Sequence, residues 1–358
     1  MIGLAGYSAA GPGRLLAWAR ANLFNSLTSS IITVLLAILL VRLAAGWWSW
    51  LVTNGTWHPA DIRQCIDAGG ACWAFLQDKW RFILFGVFPY EQQWRAALAL
   101  LLFAVLAISS ALPLFWRTAE RRRWLAAAWI VGIGIIAVLL AGGLGLERVE
   151  ARFWSGLPLT ILLSFIGMIA ATGLAILLAL GRQSGMPVIK WLSVTYIELV
   201  RGVPLISLLF MANIILPILL PRHIEIPNLM RAQLAFVLFF AAYMAEIIRG
   251  GILAVDAGQR DAARSLGMST AQLMRRIVIP QASRIIVPAT GNQYIMLLKS
   301  TSLASAIGYL ELLRISTDIY ASNFRVVELL TVAAFWYLVM TAFATALQTG
   351  LEKRFPHR

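Results

Sequence analysis

Apolar residues run along this chain in long unbroken stretches, without the every-second-residue alternation of a membrane barrel strand. Charge-free runs of spanning length (about 20 residues) cover residues 96–116, 125–146, 153–181 and 202–221. A further run, 21–41, is closed by Arg42, and 329–351 supplies another. Two weaker stretches complete the set: 232–251, interrupted by Glu246 and Arg249, and 285–310, interrupted by Asn292, Gln293 and Lys299. The pattern predicts an all-α integral membrane protein with about eight transmembrane helices, because a helix satisfies its own backbone in hydrocarbon. Arg14 and Arg20 precede the first run as in a signal peptide. That run is too long for an ordinary signal core and more spans follow, so an uncleaved anchor is expected.

The stretch between the sixth and seventh spans, residues 250–284, has a different pattern. Residues 261–266 favour helix, and Gly267 is placed to stop it as a C-terminal cap. Ser269-Thr270-Ala271-Gln272 has the S-x-x-Q form of a capping box. Leu273 with Ile277, and Met274 with Val278, give apolar i, i+4 pairs on a second helix, which Pro280 is expected to terminate. The prediction is a short helix, a tight turn and an amphipathic helix along the membrane surface. On residue chemistry alone, a lipid-anchored connector and a docking element fit equally. Ala262 and Ala263 make the first helix slim enough to enter a cleft.

Composition agrees with the pattern: 60% of residues are hydrophobic and 13% charged, with a mean hydropathy of +0.79, far from the soluble average. Threading eight spans from an inside N-terminus puts 18 of the 30 basic residues on the inner side, including Arg117, Arg121, Arg122 and Arg123, against six acids. The split is +12 inside and +2 outside, so both termini are expected on the cytoplasmic side. The net charge of +14 then reflects topology and contact with membrane lipid, not nucleic-acid binding.

Two regions are expected: 1–150, with three spans and a long periplasmic loop at 46–95, and 151–358, with the other five. The loop holds seven of the 14 Trp residues, as an interfacial aromatic belt or a docking surface for an external partner would. Cys65 and Cys72, the only cysteines, fall in this loop on the oxidising side. Ala68-Gly69-Gly70 between them is flexible enough to close a small ring, leaving a disulfide or two free thiols; with His58 the one His in the loop, no metal site is expected.

The spacing Asp261-Ala262-Ala263…Gly267…Ile277…Pro280 resembles the cytoplasmic loop of ABC importer permeases, whose pattern is E-A-A-x3-G-x9-I-x-L-P. Every spacing is kept. Asp261 replaces Glu, one methylene shorter, and Ile279 replaces Leu. The blocks T-I-x-L-S at 160–164, Y-I-E-L-V-R-G-V-P at 196–204, Y-M-A-E-I-I-R-G-G at 243–251 and L-K-S-T-S-L at 298–303 are similar to the polar amino-acid (HisMQ-like) branch of type I importers. Upstream, Cys72-Trp73, residues 80–86 and P-Y-E-Q-Q-W-R at 89–95 resemble the larger permease of general L-amino-acid systems of the Aap/Bzt type. The resemblance implies a type I ABC importer permease core with three extra N-terminal helices. It implies a role for Asp261, Ala262, Ala263, Ser265, Leu266, Gly267 and Met268 in coupling to an ATPase. It also implies partners: two ATP-binding cassette subunits that use ATP-Mg, a second homologous permease, and a periplasmic amino-acid-binding protein. No cofactor is expected on this chain.

A zwitterionic amino acid needs partners for both charges at membrane depth. Glu246 for an ammonium, Lys299 for a carboxylate, and Asn292, Gln293, Ser300, Thr301 and Ser302 form the candidate substrate path. Glu246 and Arg249, three residues apart, fit mutual pairing equally, and Lys299 fits snorkelling to the outer interface. Pro217 and Pro288 are placed to kink their spans, and Gly202-Val203-Pro204 to mark entry into the fifth. Catalysis has no support: none of the four Lys residues follows a Gly, so no phosphate loop is present, and His58, His223 and His357 are scattered. The rival readings are an ion-coupled secondary amino-acid carrier and a membrane scaffold. Such carriers commonly carry internal repeats, none of which is visible here, and neither rival gives the 250–284 loop a task.

Overall fold

The computed structural model describes residues 12–58, 65, 69–221 and 223–352. They fall into two compact units, Met1–Asp78 and Lys79–Arg358. Among the described residues the secondary structure is helical, with only isolated bridges between extended residues. Ala68, Arg222, Lys353, Arg354, His357 and Arg358, used above, lie outside them, as does the side chain of Arg14.

The first unit holds α1 (Pro12–Asn22) and α2 (Leu27–Trp48), which runs on through a π turn at Ser49–Thr53. The first span therefore starts later than its apolar run suggests. Ser26 caps α2 by accepting from the Ser29 N–H, and Ala21 and Asn22 belong to α1. The chain then doubles back: Ala71 N donates to Trp50 O and Thr56 N to Ala71 O, both at 2.9 Å. Cys65 and Cys72 are joined by a disulfide across a Cα separation of 5.5 Å. Trp57 stacks on Trp73, and the Trp73 indole donates to Leu51 O at 2.7 Å. The expected long loop is thus largely ordered, and it includes α3 (Trp73–Phe85), whose second half enters the other unit.

The second unit begins with the pair α4 (Gln93–Ala111) and α5 (Ala119–Ala141). Arg95, 1% exposed, is accommodated by carbonyl acceptors: its guanidinium donates to Leu139 O (2.8 Å), Val138 O (3.3 Å) and Glu147 O (3.0 Å), closing the carboxyl end of α5. Then come α6 (Gly156–Arg182), α7 (Pro187–Gly202) and α8 (Leu205–Leu219), the last two bent 106° apart at Val203-Pro204, where the sequence placed the entry to a span. α9 (Asn228–Leu253) packs along α6. Ala171, Ala175 and Ala179 recur one turn apart on α6 and are fully buried, as are Ala232, Ala241, Ala242 and Ala245 of α9. Small side chains let two membrane helices approach until their backbones nearly touch.

After α9 come α10 (Ala257–Ser265), α11 (Thr270–Leu273), α12 (Ile279–Ser300), α13 (Leu312–Asn323) and α14 (Val326–Glu352). Among the described residues six helices are long and apolar enough to cross a membrane, or seven if the bent pair α7–α8 counts as one span. The region expected as the span 285–310 is α12 followed by a tight turn at Thr301–Ile307. Its Arg284, Asn292, Gln293 and Lys299 keep it below the hydropathy of a free-standing span, and it packs against α6, α9 and α14 instead.

Pro280 does not end the amphipathic helix. A π turn at Met274–Val278 joins α11 to α12, and Pro280 sits in the first turn of α12, where a missing N–H costs little. The expected surface helix is therefore the first turn of a longer rod. Pro288 lies inside α12 as expected, and its carbonyl accepts from Gln348 Nε2 at 3.2 Å.

Candidate functional site

α10 is formed by local signals. The Asp256 carboxylate accepts from the Gly258 N–H at 2.6 Å and caps its start. Gly267 ends it with φ +76°, which an L side chain enters only with strain. Met268 N donates to Ala263 O (3.1 Å) and Gly267 N to Arg264 O (2.9 Å), closing the last turn. Ser269 and Gln272 then make the reciprocal capping box at the start of α11.

The helix has two faces. Ala263 is 2% exposed and belongs to the main core together with Val255, Leu273, Val278 and Ala282; Met268 packs against them. Asp261, Ala262, Ser265, Leu266 and Gly267 are exposed, and Leu266, at 79%, is an apolar tip standing in the open. Asp261 and Arg264 pair at 3.3 Å on the outer face, and Ser265 Oγ donates to Asp261 O. The knob is braced from two sides. The Arg260 guanidinium donates to Ile252 O and to Val255 O at the end of α9, and Gln281 Nε2 of α12 donates to Gln259 Oε1 at 2.5 Å. These hydrogen bonds tie α10 to the end of α9 and to α12.

The candidate path residues divide into two groups. Glu246 sits in an ionic cluster joining three helices: Arg249 Nη2 at 2.8 Å, Arg182 Nη1 at 3.0 Å, and Arg182 in turn 2.9 Å from Glu198, which lies 4.0 Å from Arg201. Pairing with Arg249 is therefore present, and Arg182 and Glu198 are additions that sequence spacing did not reveal. On α12, Asn292, Met296 and Lys299 are all exposed and follow i, i+4, i+7, a single stripe. Gln293 is half-buried and its Oε1 has no partner among the described residues, whereas Asn292 Oδ1 accepts from Gln348 at 3.2 Å. At the helix end Ser300 is half-buried; past it, Thr301 is buried and donates to Leu298 O, and Ser302 donates to Lys299 O.

Residues 171–356 match the family model of binding-protein-dependent transport system inner membrane components. The chain is 38% identical over 305 residues to the inner membrane amino-acid ABC transporter permease protein YhdY of Escherichia coli, covering 84% of this chain and 81% of that protein. It is 33% identical to the glutamate/glutamine/aspartate/asparagine transport system permease protein BztC of Rhodobacter capsulatus, over 86% of this chain and 85% of the relative. A crystal structure of an amino acid ABC transporter with histidines superposes with a TM-score of 0.51 at 37% identity, over 55% of this chain and 90% of that one. The resemblance to polar amino-acid ABC permeases, and to Bzt-type ones among them, thus holds along most of the sequence, and the all-helical importer-permease fold is shared. With the family model spanning the helices that carry both the knob and the exposed stripe, the chain belongs to the binding-protein-dependent transport system inner membrane components.

Proposed function

We propose that this chain is the membrane-spanning permease subunit of an ATP-driven importer of L-amino acids in a bacterial inner membrane, with both termini in the cytoplasm. The observation that carries the reading is the braced knob: an apolar, exposed Leu266 beside Asp261 on a helix whose other face is locked into the core. Such an element suits a groove in a partner that moves, and α10 is its coupling helix. ATP-Mg binding and hydrolysis belong to two separate ATP-binding cassette subunits, and this chain performs no hydrolysis. A second homologous permease faces the α12 stripe, so Asn292, Gln293, Lys299, Ser300, Thr301 and Ser302 line the path where the two permeases meet. Glu246 serves with Arg182 and Arg249 as an ionic tie at one end of that path. A periplasmic amino-acid-binding protein delivers substrate, and alternating access follows closure and separation of the ATPase pair. The relatives, named as ABC transporter or transport-system permease proteins, weigh against an ion-coupled carrier.

The test is a Leu266→Cys variant in the native membrane, treated with a short thiol-to-amine crosslinker and analysed by mass spectrometry. The expected outcome is an adduct with an ATP-binding subunit, together with uptake of labelled amino acids that requires ATP and survives a protonophore in proteoliposomes. Uptake abolished by the protonophore and indifferent to ATP overturns the reading.

A further inference from the structure

A chamber of about 680 Å³ lies between α4, α5, α6, α12 and α14. Phe103, Trp129 and Phe165 form one wall, with ring centroids 5.0–6.0 Å apart, and the remaining lining is mostly apolar. Four of its five bounding helices, α4, α5, α6 and α14, are apolar spans, so the medium at that depth is hydrocarbon. An apolar space of this size does not hold stable water, and leaving it empty forfeits the dispersion contacts of its lining. Ser110, Thr172, Thr290, Tyr294 and Gln348 are the polar residues of the lining, so the chamber suits a ligand that is mostly hydrocarbon and carries a few oxygens.

The charge at one end narrows the class. Ser110 lines the chamber; its Oγ accepts from the Trp129 indole and its carbonyl from the Trp116 indole, both at 2.8 Å. Arg117 follows Trp116 directly, and Arg117, Arg121, Arg122 and Arg123 are all exposed, with Glu120 the acid among them. The last turn of α14 is at the same end, where Ala111 Cβ lies 3.4 Å from the position a Cβ on Gly350 would take. A greasy slot that opens beside four guanidinium groups matches one chemical class, since basic clusters at span ends bind anionic lipid headgroups.

We propose that this chamber is a binding site for an anionic phospholipid. An acyl chain fills the aromatic-walled slot, its polar end lies among the polar lining residues near Ser110, and the phosphate meets the 117–123 arginines. The lipid joins α4 and α5 to α6, α12 and α14, which makes it a structural ligand of the permease. The proposal is independent of which solute is carried.

The test uses the whole importer, purified into nanodiscs of equal parts phosphatidylglycerol and phosphatidylcholine, then released for native mass spectrometry. Wild type is expected to retain phosphatidylglycerol at about fivefold or greater enrichment, the discrimination that even one basic contact provides. The surface variant R121Q/R122Q/R123Q should lose that enrichment, and Ala104→Phe, which projects into the slot, should lower retained lipid of either kind. Photoactivatable phosphatidylglycerol should label 100–129 and 286–298 in wild type and not in A104F. Equal retention of the two lipids by wild type, unchanged enrichment in the arginine variant, or crosslinks from position 104 to another polypeptide would each overturn the proposal.

Discussion

Glu311 shows what a single buried carboxyl does in this fold. It is fully buried at the turn between α12 and α13, where Oε2 accepts from Leu313 N (2.8 Å) and the Tyr337 hydroxyl (2.8 Å), and Oε1 from Arg314 N (2.7 Å). The same turn is held to α6, because Gly156 N donates to Leu310 O at 2.7 Å; the φ of +64° at Gly156 leaves no room for a Cβ, which would fall 2.2 Å from Leu84 O. Burial pushes the Glu311 carboxyl up to about 7, and its hydrogen bonds and Arg314 only partly oppose that. A folded value above the ordinary 4.5 means the protonated form is the one the fold favours. That contribution is complete below about pH 4.5 and is lost as pH rises through about 7, up to about 3 kcal/mol in all. Between about pH 5 and about pH 8, wild type should therefore lose thermal stability relative to Glu311→Gln, which keeps an N-cap oxygen and does not ionise. Parallel melting curves for the two proteins across that range would show that Glu311 does not titrate there.

Elements differ in how plainly the sequence announces them, and the knob is the clearest case. Gly267, Ser269 and Gln272 act on neighbours within four residues, so the stop of α10 and the capping box at α11 were readable from spacing, whereas the start was not: Asp256 caps α10 at Ala257, ahead of the 261–266 stretch that favours helix. Ser269→Ala removes one side of that box, at a cost of about 1 kcal/mol. Amide exchange in Thr270–Leu273 should quicken about fivefold while α9 and α14 keep their protection; unchanged exchange would mean core packing alone holds the turn. What failed was also local in appearance: Pro280 looked like a terminator, but it falls in the first turn of α12, which a π turn ending at Val278 joins to α11. α12 was the hardest helix to see, since it packs against α6, α9 and α14 and its polar residues dilute the apolar run. The Arg182–Glu246 contact was not legible at all, because only the packing of α6 on α9 brings the two side chains within 3.0 Å. The Cys65–Cys72 ring stood between, with both outcomes open until the fold closed it.

At the scale of the whole molecule, the question is how a knob at one place acts on a path at another. The buried cluster that contains Ala263, Leu273 and Val278 beside the knob also contains Leu297, Ala304 and Tyr309 beyond the exposed stripe of α12. Close-packed side chains transmit displacement, since a core has little free volume to absorb it. Knob and stripe should then be separable by function. Gly267→Asp places a Cβ at φ +76° and a charge next to Leu266, so docking should fail while helices elsewhere stay intact. In proteoliposomes of the full complex, amino-acid uptake per ATP hydrolysed should drop at least about tenfold, equivalent to about 1.4 kcal/mol of lost coupling. Lys299→Ala removes an exposed charge from the stripe without touching the knob. It should shift the amino-acid concentration at half-maximal uptake, or the stimulation of ATPase activity by substrate, and leave the uptake-to-ATP ratio as in wild type. If Gly267→Asp changes the half-saturation and spares the ratio, the knob is part of the path and not its drive. If Lys299→Ala moves neither quantity, the stripe contacts the neighbouring permease or lipid, and the solute passes elsewhere.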